Sequence, residues 1–173
     1  MEHHEHKNHV VSGESSPKEY AKFALVILAI TALSYYLSRT VGDSTTMDFA
    51  RYFMGVFFVV FASFKLVGYK MFVMMFAGYD VLAKRSKLYA HAYPFIELGL
   101  GLLYLTNSFG PSRDILTIAV MGIGTIGVYH EIKKRSGIHC ACLGNVIKLP
   151  LSTVSLIEDV GMGLMAAVML FIK

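Results

Sequence analysis

Cys140 and Cys142, the only two cysteines of the chain, are one residue apart and follow directly after His139. They lie in the short segment GIHCACLG, between two long apolar runs. Thiolates at this spacing can close a strained disulfide or bind one soft metal ion together. The pair therefore predicts either thiol–disulfide exchange or soft-metal binding. The alternative is that both cysteines are small apolar residues at the end of a helix.

A second group of candidate metal ligands lies in the first nine residues, where the chain carries His3, His4, His6 and His9. Imidazole nitrogens bind copper and other divalent metals. Residues 1–18 are polar and end in a Ser-Ser-Pro stretch, which predicts a flexible tail. The histidines fit a metal-collecting tail, a solubilising tail or a cloning remnant equally well.

The composition of the chain is that of a membrane protein. Of its 173 residues 55% are hydrophobic and 16% are charged, whereas soluble domains carry about 25% charged residues. The length allows four or five spans of about 20 residues and no separate globular domain. We predict an all-α, polytopic helix bundle in a lipid bilayer, with residues 19–173 as a single domain and residues 1–18 as its tail. The basic residues cluster at the ends of apolar runs, so they indicate topology and no binding to nucleic acid.

Five apolar runs are long enough to cross a bilayer, and they cover roughly residues 20–39, 49–69, 88–106, 115–131 and 153–172. No small-residue cleavage site follows the first run, so we expect it to be retained. The segment after the second run is too short to cross again before Lys84. Its helical spacing predicts an interfacial or re-entrant helix with Phe72 and Phe76 on the face opposite Lys70 and Asp80. The expected fold is thus four to five transmembrane helices plus this helix.

The basic residues are unevenly divided between the two sides of the membrane. With five spans, twelve of the sixteen Lys and Arg residues lie on the side of the N-terminus, and Arg39, Arg51, Arg113 and Lys173 lie on the other. The positive-inside rule therefore places the N-terminus and the Cys-x-Cys loop in the cytoplasm. A stable disulfide is not expected in that reducing compartment.

Five polar side chains lie within or near the ends of apolar runs, where each needs a partner or a purpose; they are Lys65, Glu97, His130, Glu158 and Asp159. Glu97 comes about nine residues into the third run, or about 13 Å deep. Lys65 lies at a similar depth on the preceding run, and we predict that it pairs with Glu97. The other three lie near the same level, which fits either a helix-packing network or a functional cavity.

The order of these features resembles that of the MauE/DoxX group of small redox-associated membrane proteins, over about residues 20–172. The resemblance is carried by Lys65 in the second run, a Phe-Ala-Gly-Tyr-Asp segment, a Tyr-Pro-x-x-Glu third run and the Cys-x-Cys-Leu-Gly loop. It implies a four- or five-helix bundle in a bacterial inner membrane. It also implies, for methylamine-utilising bacteria, the maturation of a disulfide-rich periplasmic subunit together with a thioredoxin-like partner.

The resemblance assigns family positions to individual residues of this chain. Cys140 and Cys142 match the Cys-x-Cys of the family, while Lys65, Pro94 and Glu97 match its intramembrane polar positions. The His-rich tail has no counterpart in the family pattern.

Three functions fit the sequence. The first is a component of a thiol–disulfide oxidoreductase that exchanges electrons with a thioredoxin-like protein. A single dithiol cannot by itself relay electrons across the bilayer, so this function needs either a second carrier, for example a quinone, or movement of the Cys-x-Cys loop. The second is a protein that binds or transports copper, mercury or zinc, with His139, Cys140 and Cys142 as ligands. The third is a non-catalytic subunit of a membrane complex.

Overall fold

The computed structural model describes residues 17–133 and 151–172, and the regular structure within these two ranges is helical. The helices are α1 (Pro17–Thr40), α2 (Thr46–Val67), α3 (Tyr69–Tyr79), α4 (Lys87–Leu105), α5 (Gly110–Lys133) and α6 (Leu151–Phe171). The predicted all-α fold is therefore confirmed for this part of the chain. Each of the five long helices overlaps one of the five apolar runs.

The helices begin and end where local chemistry favours it. At the start of α2, the Thr45 hydroxyl accepts a hydrogen bond from the Asp48 amide at 3.0 Å, which caps one of the free N–H groups of the first turn. The Ser86 hydroxyl caps α4 in the same way, through the amide of Tyr89. Helix α5 begins about five residues earlier than the apolar run, because Pro111 is favoured in the first turn of a helix.

Two antiparallel helix pairs form the centre of the bundle. In the first pair, a Cβ placed on Gly55 of α2 would lie 2.8 Å from the Leu105 side chain of α4, and one on Gly101 would lie 2.9 Å from Val59. Close backbone approach at these glycines fixes the register of α2 against α4. In the second pair, Gly124 of α5 lies opposite Asp159 of α6.

Many large apolar side chains remain on the outer surface of the bundle. Leu25 and Leu28 of α1 are 68% and 66% exposed, and Leu164 of α6 is 63% exposed. By length and composition, two helices among the described residues could cross a membrane: Tyr20–Thr40 and Thr46–Val67. An apolar outer surface of this extent is typical of helices that face lipid.

The short helix α3 differs in one respect from the helix predicted for this segment. Phe72 and Phe76 are buried and Lys70 is exposed, as their spacing predicts, and α3 packs against α2, α4 and α5. The prediction for Asp80 was wrong: its side chain is fully buried. The reason is that α3 ends at Tyr79, so Asp80 leaves the polar face and its Oδ1 accepts hydrogen bonds from the amides of Leu82 and Ala83.

Candidate functional site

Lys65 lies in the last turn of α2, and only 1% of its side chain is exposed. Its Nζ donates hydrogen bonds to Oε1 of Glu97 on α4 at 2.6 Å and to Oε1 of Glu158 on α6 at 2.5 Å. Both acidic side chains are equally buried, with 0% and 1% exposed. These three residues are called the Lys65 cluster below. One amine thus connects three helices through two carboxyl groups.

Aromatic rings from α3 and α4 enclose the amine. Lys65 Nζ lies 5.2 Å from the ring centroid of Tyr93 and 5.9 Å from that of Phe72, where the faces of the rings attract a cation. Phe76 stacks on Phe72 at a centroid distance of 5.0 Å. Because these rings exclude bulk water, the charges of the Lys65 cluster act on one another more strongly than they would at a surface.

A small polar cavity adjoins the Lys65 cluster. It offers about 10 Å³ to the centre of a water-sized molecule, and its walls are Lys65, Phe72, Phe76, Tyr93, Gly124, Ser155, Glu158 and Asp159. A buried cavity of this size can hold a water molecule when several polar groups face it. The amine, the carboxyl groups and the Ser155 hydroxyl provide such groups.

Gly124 of α5 leaves room for the Asp159 carboxylate beside this cavity. A Cβ at position 124 would lie 2.8 Å from Asp159 Oδ2 and 3.0 Å from its Cγ. Real side chains do not approach so closely, so any larger residue would displace the carboxylate. The absence of a side chain at Gly124 therefore makes room for an acidic group.

A second group of buried polar atoms lies where the chain turns from α3 into α4. Asp80 Oδ1 is held by two backbone amides, while Asp80 Oδ2 and the Tyr89 hydroxyl are buried without a hydrogen-bonding partner among the described residues. Burial raises the pKa of the Asp80 carboxyl above its ordinary value, against the opposing effect of the amide hydrogen bonds from Ala83 and Leu82. Sequence reasoning missed both residues as members of a buried group.

The opposite end of the bundle carries two buried arginines. Arg51 donates to the carbonyl oxygens of Tyr104 and Leu105 at 3.0 and 3.3 Å, and Arg113 donates to that of Leu103 at 3.4 Å. These carbonyls belong to the last turn of α4, where a helix lacks internal donors. Arg51 also pairs with Asp48 and Arg113 with Asp114.

A larger cleft of about 190 Å³ lies between these arginines, and it is called the arginine cleft below. Its walls are Met47, Asp48, Arg51, Asn107, Gly110, Arg113, Asp114, Met169 and Ile172. Sequence reasoning used the two arginines only to orient the chain. Nothing in their spacing indicated that both bind the end of α4.

The structure brings together four of the five polar residues proposed from the sequence for the interior. The exception is His130, whose side chain is exposed on α5 with its ring 6.3 Å from that of Tyr129. The other proposed site residues lie outside the described ranges; they are His3, His4, His6, His9, His139, Cys140 and Cys142. Within the described ranges, no group of three or more His, Cys, Asp or Glu side chains is arranged to hold a metal ion.

The helices that flank the cysteines end on the same side of the bundle. Gly124 lies opposite Asp159, and Met121 lies opposite Gly163, so α5 and α6 run antiparallel. At 1.5 Å per residue, the end of α5 and the start of α6 both lie about 12 to 14 Å beyond the level of Asp159. The 17-residue connection from 134 to 150, which contains both cysteines, therefore starts and finishes at the end of the bundle nearer the Lys65 cluster.

In a comparison with known protein families, residues 43–172 match the family described as methylamine utilisation protein MauE. The chain belongs to the MauE family. The MauE match includes the Lys65 cluster and both cysteines, and it leaves out the His-rich tail and helix α1. MauE proteins are membrane proteins, in agreement with the composition and the apolar outer surface. The resemblance to DoxX stays a prediction. No curated protein and no solved structure matched the chain.

Proposed function

We propose that this MauE-family protein is a multi-pass protein of the bacterial inner membrane that uses Cys140 and Cys142 for thiol–disulfide exchange in the maturation of a partner protein. The observation that carries the proposal is the MauE match, because it extends through the cysteine segment to α6. The family description indicates methylamine utilisation as the setting of that partner.

The reaction requires only the two thiols and a partner disulfide. One thiolate attacks a sulfur of the partner disulfide and forms a mixed disulfide; the second thiolate then attacks the first cysteine and releases the partner as a dithiol. Two electrons pass to the partner, and a disulfide between Cys140 and Cys142 remains. Lys133, Lys134 and Arg135 precede the cysteines in the sequence and favour the thiolate form. A reduced thioredoxin-like protein or a membrane quinol would supply the two electrons and two protons that return this disulfide to two thiols.

The proposed orientation is supported by the charges at the helix ends. Lys70, Lys84, Arg85, Lys87 and Lys133 all lie at or near the end of the bundle from which the cysteine connection departs. This bias favours a cytoplasmic location for that end, for the tail of residues 1–18 and for the cysteines, with residues 19–173 as one membrane domain.

Labelling of intact cells tests the orientation. If both cysteines face the cytoplasm, a membrane-impermeant maleimide should leave them unmodified until the membrane is opened. The chain has no other cysteine, so any labelling reports on these two. Full labelling of intact cells would show that the cysteines face the periplasm and would contradict the proposed orientation.

Single serine variants test the exchange reaction. Cys142→Ser leaves Cys140 without its resolving thiol, so a mixed disulfide with a thioredoxin-like protein should accumulate; Cys140→Ser tests the opposite order of attack. The matched control is Cys140→Ser/Cys142→Ser, which should trap nothing. Non-reducing electrophoresis followed by mass spectrometry identifies the trapped protein.

The same variants separate exchange from metal binding. A metal protein would lose a stoichiometric Cu(I) or Zn(II) site on either substitution and would trap no protein. Wild-type activity of both single variants in a strain that lacks the native gene would assign the cysteines a structural role and refute the proposal.

A further inference from the structure

The arginine cleft is a cavity whose charged walls are almost completely buried. Arg51 and Arg113 line it with 8% and 4% of their surfaces exposed, and Asp114 lines it with 4% exposed. Its volume is about 190 Å³. Sites that enclose a whole drug-sized ligand are larger, at about 300–1,000 Å³. The arginine cleft is therefore suited to a small polar group rather than to a large molecule.

Both arginines keep hydrogen-bond donors that the fold does not use. Arg51 donates through Nη1 to two carbonyl oxygens of α4 and through Nη2 to Asp48. Arg113 donates through Nε to Asp114 and through Nη1 to the Leu103 carbonyl. A guanidinium group has five N–H donors, and within the described ranges neither Arg51 Nε nor Arg113 Nη2 has a hydrogen-bonding partner. A ligand of the cleft should therefore supply acceptor oxygens.

The acids beside the arginines do not take up these donors. Oδ1 of Asp48 accepts from its neighbouring arginine at 3.3 Å, while Oδ2 accepts from the Asp43 amide and the Thr45 hydroxyl at 3.0 and 2.8 Å. Oδ1 of Asp114 accepts from the Nε of the other arginine at 3.1 Å. The two acids thus balance the two guanidinium charges, and the remaining N–H donors can still bind an acceptor.

The helix ends at the arginine cleft favour an acceptor with negative charge. Helix α2 begins at Thr46 and α5 begins at Gly110, so the first turns of both helices contribute to the walls. Each helix N-terminus carries about +0.5 of an elementary charge. The end of α6 at Phe171 opposes them, whereas the last carbonyls of α4 are bound by the arginines. The planar fork of arginine fits phosphate and carboxylate groups.

The apolar surroundings favour a lipid over a free anion. Met47, Met169 and Ile172 form the apolar part of the walls. Large apolar side chains are also exposed at this end of the bundle, with Phe109 73% exposed and Phe171 83% exposed. A free anion gains nothing from apolar contacts, whereas a molecule with a charged headgroup and acyl chains uses both kinds of surface. Of the acceptors that arginine fits, the phosphate group belongs to such molecules in every phospholipid bilayer.

We propose that the arginine cleft binds the phosphate group of a phospholipid in the leaflet opposite the cysteine connection. Arg51 Nε and Arg113 Nη2 donate to the phosphate oxygens, and Met169 and Ile172 contact the apolar part of the lipid. This assignment relies on the proposed placement of the bundle in a bilayer, but it requires no cysteine chemistry. Cys140→Ser/Cys142→Ser should therefore bind the lipid like the wild type, whatever the outcome for thiol–disulfide exchange.

Native mass spectrometry of the full chain in detergent tests the lipid phosphate. The probes are phosphatidylglycerol, diacylglycerol with the same acyl chains, and inorganic phosphate. One phosphatidylglycerol should be retained per chain, at least about tenfold more tightly than diacylglycerol, because the latter lacks the charged acceptor. An excess of inorganic phosphate should not displace it. Equal retention of the two lipids, or displacement by inorganic phosphate, would overturn the proposal.

Charge-matched variants test the position of the site. Arg113→Gln removes the unused guanidinium donors, so the affinity for phosphatidylglycerol should fall about tenfold or more while that for diacylglycerol stays unchanged. Lys70→Gln removes an exposed cation at the other end of the bundle and should bind like the wild type. An unchanged affinity in Arg113→Gln, or a larger loss in Lys70→Gln, would refute the site.

A steric variant tests the cleft with both arginines intact, since Arg113 also binds the end of α4. Met169→Trp places a larger side chain in the cleft and should weaken phosphatidylglycerol binding at least as much as Arg113→Gln does. Leu164→Trp lies on the exposed surface of the same helix, outside the cleft walls, and is the matched control. Phosphatidylglycerol should raise the unfolding temperature of the wild type and of Leu164→Trp only. Wild-type binding in Met169→Trp would place the lipid elsewhere and refute the proposal.

Discussion

The two ends of the bundle treat buried charge in opposite ways. At the arginine cleft each cation has one acid, Arg51 with Asp48 and Arg113 with Asp114, and the remaining donors bind backbone carbonyls of α4. At the Lys65 cluster one cation contacts two acids. Each arginine therefore has its own acid and binds the end of one helix, whereas Lys65 connects acids on two different helices.

The largest effect is expected when Lys65 is removed. Lys65→Met leaves two acids facing each other in a dry interior, and we expect a loss of at least about 3–5 kcal/mol in the free energy of unfolding. Glu97→Gln leaves Lys65 paired with Glu158, so its loss should be clearly smaller. Thermal unfolding in detergent measures both. Equal losses would indicate a simple pair of Lys65 and Glu97 and would remove the contrast between the two ends.

A double variant sharpens this test. Lys65→Met/Glu97→Gln should recover part of the loss of Lys65→Met, because it strands one acid instead of two. Lys70→Met is the matched control, since Lys70 is exposed on α3 and its loss should leave the unfolding temperature unchanged.

An intermediate effect is expected at the arginine cleft. Arg51→Met should cost about 1.5–3 kcal/mol, because it leaves Asp48 and the last carbonyls of α4 without a charged donor. Arg51→Lys keeps the charge but loses the forked geometry of the guanidinium, and it should recover only part of the loss. Combined with Lys65→Met, the Arg51→Met loss should be additive, because the two residues share no partner. Strong coupling would show that the two ends do not act separately.

The smallest effect is expected at Gly124. Gly124→Ala places a methyl group against the Asp159 carboxylate and should cost about 1–3 kcal/mol, as overpacking in a core commonly does. Gly122→Ala, which meets open space, is the control and should have no measurable effect. If both alanine variants unfold like the wild type, Asp159 is not held in place by α5.

Part of this arrangement follows from the sequence, because a charged residue inside an apolar run must find a partner at its own depth. That rule predicts Lys65 beside Glu97, and counting residues along the last apolar run places Glu158 near the same level. The rule fails for His130, because depth along a helix does not specify which face of that helix a side chain occupies.

Other parts depend on three-dimensional contacts that no local pattern encodes. Asp80 is buried because α3 ends at Tyr79, the residue before it, and the apolar spacing does not reveal where the helix ends. Arg51 and Arg113 are far apart in the sequence, and they lie near each other because both bind carbonyl oxygens at the end of α4. The close contact of Gly124 is with a carboxylate on another helix, whereas the sequence shows only a small residue.

The antiparallel pairing of α5 with α6 limits how far the two thiols can travel. Cys140 is seven residues beyond Lys133, and Cys142 is nine residues before Leu151. A fully extended chain of seven residues reaches about 25 Å, which is less than the roughly 30 Å thickness of the hydrocarbon core of a bilayer. For a bundle that spans a bilayer, chain length alone therefore keeps Cys140 from reaching the opposite face. A protein that reacts with Cys140 would then have to bring its own sulfur atoms to the face from which this connection departs.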